Sequence, residues 1–155
     1  MSKIVEACRL IAWKGGTPKS KYAYKGGNPT KEYNAQCRKH FGNLSRLKKT
    51  RCDLSVALVL AIALGIRMPK GNQEQLKWKP KKKRLGYKAY HNVRPIDVAK
   101  HGYIVVYQKK NGRHSIVYTE NGLYQAQYRK TFFHYLRSHK KLKPRRSKVV
   151  VFYEK

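Results

Sequence analysis

Residues Asp53 to Ile66 read DLSVALVLAIALGI. The run is too long for a typical strand and apolar nearly all round, so it predicts a central helix buried on every side. Asp53 in its first turn suits the positive end of the helix dipole, and Met68-Pro69 is expected to end it. A helix of this kind must be covered by other elements, and the rest of the chain is read for what covers it.

Upstream, Ile4, Cys8 and Ile11 recur at helical spacing within Lys3 to Ala12, which predicts a short amphipathic helix. The Gly-rich stretch from Gly15 to Gly27 reads as a loop. Asn28-Pro29 offers an N-cap followed by proline at the first helical position. Tyr33, Cys37 and Phe41 then follow at four-residue spacing, and Gly42 can close that helix. A basic loop, Arg46 to Arg51, leads to Cys52.

Downstream the helical spacing gives way to strand patterns. Tyr103 to Lys109 (YIVVYQK), His114 to Thr119 (HSIVYT), Leu123 to Tyr128 (LYQAQY) and Lys148 to Tyr153 (KVVVFY) are rich in β-branched and aromatic residues. Turns are expected at Asn111-Gly112 and Glu120-Asn121-Gly122. There is no internal repeat. The chain therefore reads as one α+β domain over residues 1–155, with helices first and then an antiparallel sheet packed on the central helix.

Charge restricts the partners. The chain carries 37 Lys+Arg against 7 Asp+Glu, a formal net charge of +30. Its 41% apolar and 12% aromatic content excludes a wholly disordered basic tail. A field of this sign attracts polyanions: nucleic acid, anionic lipid or an anionic cell-wall polymer. The cations concentrate in basic loops expected at 77–88, which holds Lys81, Lys82, Lys83 and Arg84, and at 137–148, which holds Arg145 and Arg146. Trp78, Tyr87 and Tyr90 lie among or beside the first group, where they could stack on bases.

Three cysteines, Cys8, Cys37 and Cys52, without a C-x-x-C pair support neither a disulfide framework nor a zinc site. His40, His91, His101, His134 and His139 have no metal-ligand spacing, so neither a metal nor another cofactor is expected. Cys8 and Cys37 fall on apolar stripes and read as core. The N-terminus, MSKIVEACRLIAWKGG, is interrupted by Glu6 and Arg9 and does not read as a signal peptide, so synthesis in the cytoplasm is expected. Val56 to Leu64 is far shorter than the roughly 20 residues that span a bilayer.

Cys52 sits where a loop meets the start of the buried helix. The helix dipole there stabilises a thiolate, and free backbone N–H groups can hold an oxyanion. His114, opening a strand after a tight turn, can serve as its base if the sheet packs on that helix.

The order of these pieces resembles the NlpC-type papain-like cysteine peptidases and amidases. Tyr22-Ala23-Tyr24-Lys25-Gly26-Gly27 looks like that family's aromatic-Gly-Gly loop, and Cys52-Asp53-Leu54-Ser55 like its nucleophile helix. Gly102 to Tyr107 resembles the strand before the histidine. His114 to Tyr118, Asn121-Gly122 and Gln125-Ala126 resemble the histidine strand, its turn and the third polar residue. The resemblance implies Cys52 as nucleophile, His114 as base and Gln125 as the orienting residue, with Tyr22 and Asp53 on the substrate side. It also implies a papain-like fold and hydrolysis of amide bonds in peptidoglycan stem peptides, as in a phage lysin carried by a virion or released to the cell wall. The third position stays open between Gln125 and Gln127. A two-residue turn puts both on the His114 face, and a three-residue turn puts them on the other. The competing reading is a non-catalytic, basic nucleic-acid-binding protein of a virion or chromosome on the same fold.

Overall fold

In a computed structural model, residues 2–12, 17–20, 23–25, 30–42, 52–65, 85–109, 112–119, 123–127, 134–138 and 145–155 are described. Side chains are described for 2–12, 30–42, 56–65, 85–108, 114–119 and 145–155. The class is α+β, as the sequence predicts.

Three helices come first. α1 (Lys3–Ile11) is capped by Ser2, whose Oγ accepts from the Val5 N–H at 3.2 Å. It buries Ile4, Cys8 and Ile11, the stripe the spacing predicts. α2 (Lys31–Phe41) buries Tyr33 and Cys37 and ends at Gly42, whose N–H donates to the Arg38 carbonyl at 3.0 Å. Its N-cap is Thr30 and not Asn28: the Thr30 hydroxyl accepts from the Tyr33 N–H at 3.1 Å. α3 (Cys52–Leu64) is the central helix, apolar all round and packed on α1, α2 and the sheet. It stops earlier than expected. Gly65 adopts φ +65°, a left-handed conformation open to glycine, and its N–H donates to the Ala61 carbonyl, so the helix closes before Met68-Pro69.

Strands β1 (Thr17–Ser20) and β2 (Ala23–Lys25) pair as a small hairpin where a loop was expected; Thr17 lies opposite Lys25. The main sheet contains β3 (Leu85–Val93), β4 (Ile104–Lys109), β5 (Gly112–Tyr118), β6 (Leu123–Gln127), β7 (His134–Ser138) and β8 (Ser147–Glu154). Its order is β3-β8-β4-β5-β6-β7, with every pairing antiparallel. A one-turn helix, α4 (Pro95–Val98), separates β3 from β4.

Three of these elements correct the sequence reading. β3 begins inside the first expected basic loop and takes up its last residues, Leu85 to Lys88. β7 includes Arg137 and Ser138, the start of the second. Gly112 is a strand residue of β5 opposite Lys109, so the residues between β4 and β5 are 110 and 111, one position earlier than the Asn111-Gly112 pair assigned to the turn.

The sheet has two buried faces. On the helix face, Ile104, Val106, Val117, Val150 and Phe152 join Leu58, Val59 and Leu60 of α3 in the larger core. On the far face, Val105, Tyr107, Ile116, Val149 and Val151 form a second cluster against Ile96 and Val98 of α4. Side chains alternate strictly between the two along β4.

Candidate functional site

Cys52 is the first residue of α3, so the sequence reading put it at the correct end of the buried helix. Asp53 follows it in the first turn. α3 packs against β5 and β6, which are the strands that carry His114 and Gln125.

The faces are the obstacle. His114 lies opposite Tyr107 in the β4–β5 register, and their rings meet edge to face with centroids 5.6 Å apart. Tyr107 belongs to the far cluster. His114 is thus on the side of the sheet away from α3, and the expected juxtaposition of a Cys52 helix with a His114 ring is not made on one face. The cause is strand parity: Ser115 and Val117, not His114 and Ile116, point at the helix layer.

The same rule places the third residue. Val117 pairs with Gln125 and Tyr118 with Tyr124, so Gln125 takes the Val117 position across the ladder, and Gln127, two residues on, shares that face. Both positions are on the side opposite His114, the outcome expected of the longer turn. The register thus sets the Gln125 and His114 positions on opposite faces of the sheet. Tyr22, Lys81, Lys82, Lys83 and Arg84 lie outside the described residues.

Ser115 is what the motif reading overlooked. It lies opposite Val106 on the helix face, 1% exposed, and its Oγ has no hydrogen-bond partner among the described residues. The signal was parity: the neighbour of the candidate histidine meets the helix. A buried hydroxyl without a partner carries an uncompensated desolvation cost. Ser115→Ala is therefore expected to raise stability by about 1 kcal/mol in urea unfolding. A loss of stability would show instead that the hydroxyl is satisfied in solution.

Cys8 and Cys37, the cysteines whose side chains are described, are inert. Burial pushes the Cys8 thiol far above its ordinary range. Burial also raises Cys37 to about 11, against the opposing pull of the Tyr33 hydroxyl and the Arg38 charge. Neither forms thiolate near neutral pH, which fits their place in the larger core.

The cations show a consistent pattern. Every lysine and arginine whose side chain is described is exposed, including Lys88, Arg94, Lys100, Arg145, Arg146 and Lys148. Arg94 grips Asp97 with two hydrogen bonds of 2.9 and 3.0 Å, and that bonding holds the Asp97 carboxyl below its usual range. Arg146 donates to the Asn92 carbonyl at 3.2 Å, where β3 bulges and Asn92 takes φ +56°.

Among the described residues no group of three or more His, Cys, Asp or Glu is placed to hold a metal ion, and no helix is long and apolar enough to cross a membrane. No protein-family model matches the chain, and neither a curated protein nor a solved structure matches it.

Proposed function

We propose that this chain is a nucleic-acid-binding protein whose cationic surface engages the phosphate backbone. The observation that carries the reading is charge at the surface: 37 cations against 7 acids in the chain, with every described lysine and arginine side chain exposed. Aromatic side chains near those cations favour nucleic acid over a lipid headgroup or a wall phosphate, because only nucleic acid brings flat bases to stack on. Tyr90 of β3 lies two residues from Lys88 on the same face of the sheet. The test is fluorescence anisotropy of labelled DNA and RNA across a salt series. Affinity should fall steeply with salt, whereas no binding at low salt would remove the reading.

A second reading is favoured by Cys52 at the start of α3: a thiol hydrolase that cleaves amide bonds of peptidoglycan stem peptides. With His114 across the sheet, the identity of its base is a separate question. Cys8 and Cys37 are silenced by burial, so iodoacetamide reports Cys52 in the folded protein. A catalytic thiolate would be labelled well below the ordinary thiol pKa of about 8.5, and Cys52→Ser would abolish hydrolysis of purified walls. Slow labelling and intact walls under the wild-type protein would remove this reading.

A further inference from the structure

The sheet face turned away from the three helices has an unusual lining. Tyr90 of β3, Tyr118 of β5, Tyr153 of β8 and Tyr103, just before β4, pack around the far cluster and are only partly buried. His114 is also partly buried on this face, against Tyr107. Among the described residues the one-turn α4 contributes Ile96 and Val98 to the cluster, and these rings stay partly buried around it.

Two of the rings are held in a way that makes a platform. Tyr153 lies opposite Gly86 in the β3–β8 register. A Cβ at Gly86 would overlap the Tyr153 ring, so the ring lies over the strand where only glycine leaves room. Tyr103 stacks on Tyr153 with centroids 5.2 Å apart and planes 25° from parallel. The pair is preorganised, so ordering it on binding costs little further entropy.

Cations border the same face. Lys88 lies opposite Val151 of the far cluster and is exposed. Arg146, tied to the Asn92 carbonyl, and Arg94, paired with Asp97, stand where β3 runs into α4. Flat aromatic surface bordered by positive charge matches one ligand chemistry: unpaired bases on a phosphate backbone. A duplex hides its base faces in its own stack and could use only the charge.

We infer that the far face of the sheet is a binding platform for single-stranded nucleic acid, with bases stacking at Tyr103 and Tyr153 and phosphates held by Lys88 and Arg146. The inference rests on the nucleic-acid reading and specifies its site and strandedness. Tyr87 provides an internal contrast. It is 44% exposed and stacks on Phe152, but it belongs to the helix face and lies outside the platform.

The test measures binding of a labelled single strand of DNA or RNA, the corresponding duplex, and inorganic polyphosphate, with near-UV circular dichroism to verify folding. Tyr153→Leu and Tyr103→Leu should each weaken single-strand binding by about tenfold and leave polyphosphate binding unchanged. Tyr103→Phe, which keeps the ring, should bind like wild type. Lys88→Gln and Arg146→Gln should weaken all three ligands and flatten the salt dependence. Leucine variants that are folded but bind single strands normally would overturn the platform, as would an equal loss in Tyr87→Leu. If a leucine variant fails to fold, the wild-type preference decides: equal affinity for single strand and duplex at equal phosphate number overturns the platform. Failure of the broader reading looks different, because the wild type would then bind no nucleic acid at all.

Discussion

Phe152→Ala should destabilise the fold by about 3–5 kcal/mol, enough to consume a large share of the roughly 5–15 kcal/mol typical of a domain. Phe152 is fully buried in β8, the strand held between β3 and β4, and its ring joins the core that also contains Leu58, Val59 and Leu60 of α3. Truncation would remove the transfer energy of the ring and leave a cavity between sheet and helix layer. Tyr87, stacked on it at 6.1 Å, would lose its support. At this chain length the loss should lower the melting temperature by roughly 10 °C or more. Leu10→Ala is the control, because Leu10 is 44% exposed and its truncation should change stability by less than about 0.5 kcal/mol. A Phe152→Ala protein that melts like wild type would mean that helices and sheet are not one cooperative core.

The contrast between those two residues also explains which parts of the fold were legible. α1, α3, β4, β5 and β8 announce themselves because each buries most of one face or nearly all of its described surface, and burial imposes a pattern on the sequence. β3 does not. It is an edge strand that buries Leu85 and Gly86 and exposes Tyr87, Lys88, Ala89, His91 and Asn92, so its composition reads as part of a basic loop. β7, the opposite edge, runs into the start of the second basic stretch at Arg137.

The candidate site was half legible for a different reason. Cys52 at the start of α3 follows from local sequence: a loop, then a continuous apolar helix. The face of His114 does not. Val105 and Val106 are both buried, as are Ile116 and Val117, because each side of the sheet has its own cluster. A strand buried on both faces loses the alternation that would reveal which side meets the helix. The His114 and Gln125 positions depend on that parity and on the length of the following turn, neither of which a motif match encodes. The tyrosines escaped notice for the same reason. Tyr118 lies in a run that reads only as a strand, yet it is partly buried and belongs with Tyr103 and Tyr153 to the far face.

Affinity for single-stranded nucleic acid should fall by more than about 10²-fold between roughly 50 and 200 mM salt, if the surface engages at least six phosphates. The physical source is counterion release. Each phosphate neutralised by a lysine or arginine frees condensed cations, and added salt opposes that release. The chain has the cations to do this, with a net charge of +30 and no described lysine or arginine buried in the core. Neutralising Lys81, Lys82, Lys83 and Arg84 together should reduce the slope of log affinity against log salt by up to about 3 on single strands, near 0.7 for each phosphate no longer neutralised. Arg145→Gln with Arg146→Gln should act in the same direction, with a smaller total. None of these substitutions changes Cys52 itself, so any hydrolysis of a small soluble muropeptide should stay as it was, since long-range attraction adds nothing once substrate is bound. The two readings therefore separate in a single set of variants. Loss of nucleic-acid affinity with a flatter salt slope assigns the charge to phosphate binding. An unchanged slope would mean that these cations serve only to keep the protein soluble.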